Sequence, residues 1–409
     1  MGGLTLEVAL DPEQKAMIET AKKFAMQVMR PAGIELDKMD AKRILEKDSP
    51  LWSVYRKYHE LGFHKLIIPK ALGGLEIDPL SWTLIIEQLG YGDAGLCESL
   101  ACSLVPFLIG AAFGGPEAHE WVKAYCDDTQ GRMIGCFAFT EPDHGSDWVL
   151  AAQAGFDTPR MAPSVRAVRK GNEYIINGQK SAFISNGPMA THALLILCVD
   201  TSQGMRGTGI ALIPLDLPGI SRGKPLDKLG LRTYPQGALI FDDVTIPEKM
   251  MLIAQPEAGF NTQQWILTPA GELLSAIATG LAQAAFDEAL RYAKVRIQGG
   301  KPIIEHQSIG LKLFKMLTMI ETARSYSRRV ALHNAAQPPG SALHALSAKV
   351  HCTETAFKVA SEAMQILGGY GLSREYPVEK MFRDARTGII GEENNALSLA
   401  GIPYLKQSS

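Results

Sequence analysis

The 409-residue chain has no excess of either charge: 41 Lys and Arg stand against 43 Asp and Glu, a formal net charge of −2. Such a balance creates no global positive field to hold nucleic acid or an anionic membrane. The six cysteines, at positions 97, 102, 126, 136, 198 and 352, form no CxxC pair. In a chain this large they read as reduced, mostly buried thiols. No GxGxxG is present, so a Rossmann nucleotide site has no support, and no GxxxxGK[ST] supports a P-loop. The nine histidines show neither HExxH nor a comparable ligand spacing, so no metal site is expected. His144-Gly145-Ser146-Asp147 superficially resembles a hydrolase triad. But GxSxG is absent, and three sequence neighbours cannot also converge as a triad. Long hydrophobic runs are scarce too. The longest uncharged stretch lies between Glu98 and Glu117 and contains Pro106, Gly110, Gly114 and Gly115, which favours a buried helix over a membrane span. Met1 to Asp11 shows no basic region followed by an apolar core, the mark of a signal peptide.

What remains is an ordinary globular balance, 46% hydrophobic and 21% charged. At ~100–200 residues per domain the length suggests two or three domains, and a soluble, cytoplasmic protein is the expectation. The first third reads helical. Asp11-Pro12-Glu13-Gln14 is a helix start, with Asp as N-cap, Pro at the first position and Gln at the third; the helix runs to about Arg30. Further helices are expected over 51–61, 80–90, 96–112 and 117–126. The character changes near Gly135. Short β-prone runs over 165–169, 174–176, 193–199, 209–215 and 238–246 alternate with Gly/Pro/Asp-rich turns; Gly171-Asn172 and Asn177-Gly178 both read as tight turns. Helices return after about Gly259. An apolar stripe from Leu274 through Ile277, Leu281, Ala285, Ala289 and Tyr292 to Val295 marks one; others cover 307–335 and 342–367. Helices, then strands, then helices give an α+β order rather than alternating βαβ units. The divisions are 1–134 (helical), 135–250 (an antiparallel, barrel-like β-domain) and 251–409 (a helical bundle).

Five ordered motifs carry more information. Phe137-Ala138-Phe139-Thr140-Glu141-Pro142-Asp143-His144-Gly145-Ser146-Asp147 is a strand end running into a turn rich in small hydroxyl and backbone donors. Such a loop can hydrogen-bond the edge of a planar ring while its aromatics cover the face. Next come Asn177-Gly178-Gln179-Lys180 with Phe183-Ile184-Ser185-Asn186-Gly187, and Lys228-Leu229-Gly230-Leu231-Arg232 with Phe241-Asp242-Asp243-Val244. Arg296 and Gly300 precede Glu305-His306-Gln307. Last comes Gln365-Ile366-Leu367-Gly368-Gly369-Tyr370-Gly371, followed by Arg383-Asp384-Ala385-Arg386. In this order and spacing the set resembles the acyl-CoA dehydrogenase flavoprotein family, over nearly the whole chain. Singly, each has an ordinary explanation: Phe137 and Phe139 as core strand residues, Arg296 as a surface charge, Gly368-Gly369 as a helix C-cap.

The resemblance implies an N-terminal helical domain, a central antiparallel β-domain and a C-terminal four-helix bundle, assembled as a homotetramer (a dimer of dimers). It implies FAD between the β-domain and the C-terminal helices, with the ADP end reaching a neighbouring subunit. Phe137, Phe139 and Thr140 then correspond to the loop beside the isoalloxazine, and Gly145 and Ser146 to a contact with the flavin pyrophosphate or the thioester ligand. Phe183 and Ser185 fall on the flavin's other side, although this chain carries one extra residue between Lys180 and Phe183. Arg296 and Gln307 correspond to contacts with the adjacent subunit's FAD. Gln365, Gly368 and Gly369 correspond to the loop that takes the adenosine end.

The implied reaction is α,β-desaturation of an acyl-CoA thioester: a carboxylate removes the α-proton, and the β-hydrogen leaves as hydride to flavin N5. Two hydrogen bonds to the thioester carbonyl, from the flavin ribityl hydroxyl and a backbone N–H at the base, stabilise the enolate-like charge. Burial should raise the base's pKa and strengthen it. Counting on from Arg386, the base falls on Glu392, with Glu393 and Glu272 in reserve. The family motif places Gly and Thr after the base, where this chain has Glu393 and Asn394, both expected to line the site. Gly391 replaces a bulky residue near the substrate α-carbon. Gly271 stands where straight-chain members carry an Arg on the substrate helix, and Gly299 at a position that is usually Phe. These departures point to a branched, cyclic or otherwise modified acyl group. The electrons would pass to an electron-transferring flavoprotein. An O₂-using oxidase or oxygenase, an acyl-carrier-protein dehydrogenase of the same fold and an inactive scaffold subunit are the alternatives.

Overall fold

A computed structural model describes residues 8–391 and 393–407. Helix α1 (Pro12–Phe24) begins at the expected capping box: Asp11 accepts from the Gln14 N–H at 2.8 Å, and the Gln14 side chain accepts from the Asp11 N–H at 3.0 Å. The helix does not stop at Arg30. One wider π turn, Ala25–Met29, leads without a break into α2 (Arg30–Asp37), where Pro31 has no N–H to give to the preceding turn. α3 (Pro50–Glu60), α4 (Pro79–Gly92) and α5 (Ala94–Phe113) start at Ser49, Asp78 and Asp93, each side chain accepting a backbone N–H. α6 (Pro116–Asp127) completes the helical third. Helix α5 has the length and apolar content of a membrane span, yet 61% of its most apolar window is buried within the fold, as a core helix requires.

The middle third is one eight-stranded sheet. Its strands are β1 (Gly135–Ala138), β2 (Arg166–Lys170), β3 (Glu173–Gln179), β4 (His192–Cys198), β5 (Thr208–Pro214), β6 (Ile220–Arg222), β7 (Leu239–Pro247) and β8 (Met251–Ile253). They lie in the order β6-β7-β3-β2-β4-β5-β8, with β1 beside β4. Most pairs are antiparallel, but β1 and β2 both run parallel to β4. Long connections rather than hairpins lead into β4, and parallel neighbours need such crossovers. Asn177-Gly178 is not a turn. It is a bulge inside β3, where Asn177 bonds the backbone and side chain of Asp243 on β7 at 2.8 and 2.9 Å. A Cβ on Gly178 would lie 2.8 Å from the Ser164 carbonyl, so only glycine fits.

Helix α7 (Pro256–Val295) spans 40 residues and starts well before the apolar stripe. A two-strand ribbon follows, β9 (Ile297–Gln298) with β10 (Lys301–Pro302), turned by Gly299 and Gly300 at φ 61° and 80°. Then come α8 (Gln307–Ala336), α9 (Ala342–Leu367), α10 (Pro377–Ile390) and α11 (Asn394–Gln407). Helices α7 to α10 form the bundle, and α4 packs across α7. Two glycines permit that crossing: a Cβ on Gly280 would stand 2.1 Å from the Glu87 carbonyl, and one on Gly90 2.6 Å from that of Ile277. Buried Glu87 bridges to the bundle through Arg324 at 2.6 Å and Arg328 at 2.9 Å.

One buried pair predicts acid behaviour. The rings of His59 and His64 stack at 4.0 Å and 7°. They bond the backbone carbonyls of Asp128 and Cys126, with Lys65, Tyr125 and the Asp128 carboxylate alongside. Burial holds both imidazoles below their ordinary value, His64 at about 3. The unfolded chain, with imidazoles near ~6.5, therefore takes up protons that the folded chain refuses as pH falls. Stability is fully present above that value and declines below it, by about 2 kcal/mol for His64 at pH ~5. His64→Gln should flatten the decline in melting temperature between neutral and mildly acidic pH; an unchanged slope would contradict this assignment.

Candidate active site

Strand alternation puts Phe137 and Phe139 on one side of β1, while Cys136 and Ala138 enter the core. The two rings lie 5.1 Å apart at 11°, and Phe139 meets Trp148 at 4.8 Å. The loop beyond is anchored from beneath. Fully buried Lys180 donates to the Phe139 carbonyl at 2.9 Å and to Glu141 at 2.7 Å. Glu141 also accepts the N–H and hydroxyl of Ser164 at 2.5 and 2.7 Å. Burial alone would raise the Glu141 carboxyl, but Lys180 and these bonds outweigh it and hold the group below the usual carboxylate range. Thr140 is thereby fixed, its hydroxyl 2.6 Å from that of Ser181. Ser181 was not singled out in the sequence. It lies in the segment that holds the extra residue, and that insertion was the only signal.

Gly145 and Ser146 sit exposed at the start of a short 3₁₀ turn, Ser146–Leu150. Asp147 orders the approach: it accepts the Gly145 N–H at 2.6 Å and pairs with His144 at 2.7 Å, which raises the imidazole's pKa. Across the loop, Phe183 is 62% exposed, and its carbonyl accepts from Gln236. Ser185 is buried and bridged by its backbone to Gln236.

A second group converges at the end of the bundle. Arg296, Gly368 and Gly369 line a cavity of 480 Å³ with Tyr292, Gln298 and Tyr370. The Arg296 guanidinium stands 5.6 Å over the Tyr370 ring. Gly368 holds φ 60° and ψ −134°, a conformation open to glycine, and among the described residues a Cβ at Gly368 or Gly369 would meet nothing within 4 Å. Gln307, at the first position of α8, and Gln365, in the last turn of α9, are exposed and do not line this cavity.

The third group is the turn between α10 and α11. Glu392 lies outside the described residues. Gly391 is exposed, and among the described residues a Cβ there would meet only the Thr387 carbonyl, at 3.6 Å. Glu393 takes a left-handed φ of 38° and turns its carboxylate onto the start of α11, accepting the N–H groups of Asn395 and Ala396 at 3.1 and 2.8 Å. It is a helix cap with charge of the stabilising sign. Asn394 is buried against Lys349 and Thr353 of α9. Beyond it, Ala396 and Leu397 pack with Val149, Leu346 and Leu267, so the glycine loop, α7, α9 and α11 share one apolar cluster.

Two residues of α7 differ from expectation. Glu272 is not near a helix start but well inside α7, because the helix continues through Pro269 back to Pro256. Its carboxylate, raised by burial, accepts from Asn334 of α8 at 2.5 Å. Gly271 is buried where a Cβ would come within 2.8 Å of the Ala345 carbonyl, so it lets α9 approach α7 closely.

Comparison with known proteins agrees with this arrangement. Residues 11–123, 136–244 and 257–399 match the models of the N-terminal, middle and C-terminal domains of acyl-CoA dehydrogenase. The chain belongs to the acyl-CoA dehydrogenase family. It is 33% identical over 396 residues to the mitochondrial short-chain specific acyl-CoA dehydrogenase of Rattus norvegicus, covering 95% of this chain and 90% of that one. It is 30% identical over 387 residues to the cyclohex-1-ene-1-carbonyl-CoA dehydrogenase of Geobacter metallireducens, covering 92% and 93%. The butyryl-CoA dehydrogenase structure from Megasphaera elsdenii superposes with a TM-score of 0.85 at 29% identity, over 98% of this chain and 100% of that one. This acyl-CoA dehydrogenase is thus an oxidoreductase of a flavoprotein family with its three-domain architecture. Its residues fit the cofactor. The Thr140–Ser181 hydroxyl pair offers ring-edge partners, and the glycine cradles at 145, 368 and 369 are open. The buried Trp148 Nε1 has no hydrogen-bond partner among the described residues.

Proposed function

We propose that this acyl-CoA dehydrogenase carries out FAD-dependent α,β-desaturation of an acyl-CoA, with Glu392 as the base that removes the α-proton. The observation that carries the assignment is the commitment of Glu393: its carboxylate is bonded to two N–H groups at the start of α11, where it serves as a cap. Of the two adjacent acids, proton removal therefore falls to Glu392. FAD, when bound, supplies the acceptor for the β-hydrogen as hydride. Phe137, Phe139, Thr140 and Ser181 would hold its ring edge and face, with Gly145 and Ser146 close to its pyrophosphate or to the thioester. A backbone N–H at the base would donate to the thioester carbonyl, where charge develops as the proton leaves. Arg296, Gly368 and Gly369 would take the ADP end from a neighbouring subunit, a guanidinium fork suiting pyrophosphate. A homotetramer is the matching assembly. The exposed Leu311, Phe314 and Leu332 along α8 are surface that such an assembly would cover.

The acyl group we propose is branched or cyclic. Supporting this, a Cβ on Gly391 would meet no described atom closer than 3.6 Å, and the side chain expected at position 271 is absent because α9 fills that place. An electron-transferring flavoprotein is the proposed acceptor, in the cytoplasm. Turnover with a panel of linear, branched, cyclic and dicarboxylic acyl-CoAs, with the product's mass as readout, tests the reaction and its specificity together. Loss of two hydrogens from branched or cyclic substrates is expected. Exclusive turnover of linear ones would contradict the substrate assignment, and a product that gains oxygen would favour an oxygenase.

A further inference from the structure

Lys349 is 1% exposed on α9, facing the turn that joins α10 to α11. Its ammonium donates to the Gly391 carbonyl and to Asn394 Oδ1, the latter at 2.9 Å. These two acceptors stand on either side of position 392 in the chain. One turn along α9, Thr353 fixes the same amide from its other end, accepting from Asn394 Nδ2 at 3.1 Å. The amide orientation follows: its oxygen faces the cation and its nitrogen the hydroxyl.

The turn needs such a tie. Gly391 has no side chain with which to pack, and Glu393 holds an unfavourable left-handed φ of 38°. Glu393 pins the turn to α11 through the cap, and Lys349 pins it to α9. A buried ammonium is a costly way to hold chain, since an apolar side chain of similar length avoids the desolvation. Its advantage is direction: charge-assisted bonds to Gly391 and Asn394 fix the backbone on both sides of position 392.

We propose that Lys349 is a positioning residue for the catalytic base, with Asn394 and Thr353 completing the clamp. The proposal rests on the assignment of Glu392 as that base. A base displaced by about 1 Å loses on the order of 100-fold in rate while substrate binding is spared. Lys349→Met is therefore expected to slow acyl-CoA-driven flavin reduction about 100-fold, with FAD content and the substrate dissociation constant within about twofold. Lys349→Arg, which keeps the charge and the donors, should recover at least about tenfold of that loss. Asn394→Leu removes one anchor and should fall between wild type and Lys349→Met, which keeps the clamp testable should Lys349→Met fold poorly. Wild-type rates in both Lys349→Met and Asn394→Leu would overturn the clamp. So would a loss in Asn394→Leu that arises wholly from weaker substrate or FAD binding, or a loss in Lys349→Met that Lys349→Arg leaves unchanged. Glu392→Gln, run alongside, separates the two claims. If it reduces flavin normally, the base assignment fails; if it is inactive while the clamp variants are normal, only the clamp fails.

Discussion

Glu392→Gln is expected to lose acyl-CoA-driven flavin reduction by about 10⁴-fold, the upper range for removing a general base, while still binding FAD and substrate. The side chain keeps its size and loses only its proton affinity, so binding and chemistry separate. Glu393→Gln should stay within about tenfold of wild type, because an uncharged cap still accepts backbone N–H groups at α11. Glu272→Gln should do the same, since Asn334 on α8 already occupies that carboxylate. Anaerobic rapid mixing, following flavin absorbance, reads all three. Loss in Glu393→Gln equal to that in Glu392→Gln would mean that the cap is not the whole role of Glu393.

Lys180→Met is expected to destabilise the protein by about 3–5 kcal/mol, the cost of leaving a buried charge without its partner, and to release FAD. Both side chains of the Lys180–Glu141 pair are fully buried, and the pair holds the Phe139 carbonyl directly below Thr140. Stability and cofactor retention are therefore linked through one loop. Lys180→Met combined with Glu141→Leu removes both charges and should recover much of the stability, since an apolar replacement of a buried pair is often close to neutral. The double variant should still hold FAD poorly, because the loop has lost its tether. Chemical denaturation and the flavin content of purified protein check the two halves. Full FAD occupancy in Lys180→Met would contradict the linkage.

Much of this was legible in the sequence wherever the signal was local. Asp11 and Gln14 bond each other as a capping box should, and most of the longer helices and strands lie where periodicity and turns place them. The ordered motifs around Thr140, Phe183, Leu231, Arg296 and Gly368 carried the family. Less legible were features set by distant partners. Asn177-Gly178 has the composition of a turn, yet Asp243 on another strand makes it a bulge. The apolar stripe marks a helix only from Leu274, but α7 runs from Pro256 straight through Pro269 and Gly271, where it packs closely against α9. The parallel pairing of β1 and β2 with β4 depends on crossovers that leave no local trace. The Thr140–Ser181 hydroxyl pair joins two loops 41 residues apart, a contact that no local pattern marks. The adjacency of Glu392 and Glu393 was plain, but only the geometry of α11 shows which acid is a cap.

The central claim is that this chain oxidises an acyl thioester through a bound flavin. Anaerobic titration of the purified wild-type protein with branched, cyclic and linear acyl-CoAs tests it most directly. The account predicts a yellow protein whose flavin bleaches on mixing, furthest with a branched or cyclic acyl group. A flavin-loaded protein that no acyl-CoA bleaches, or a purified protein that neither contains nor takes up FAD, would contradict it.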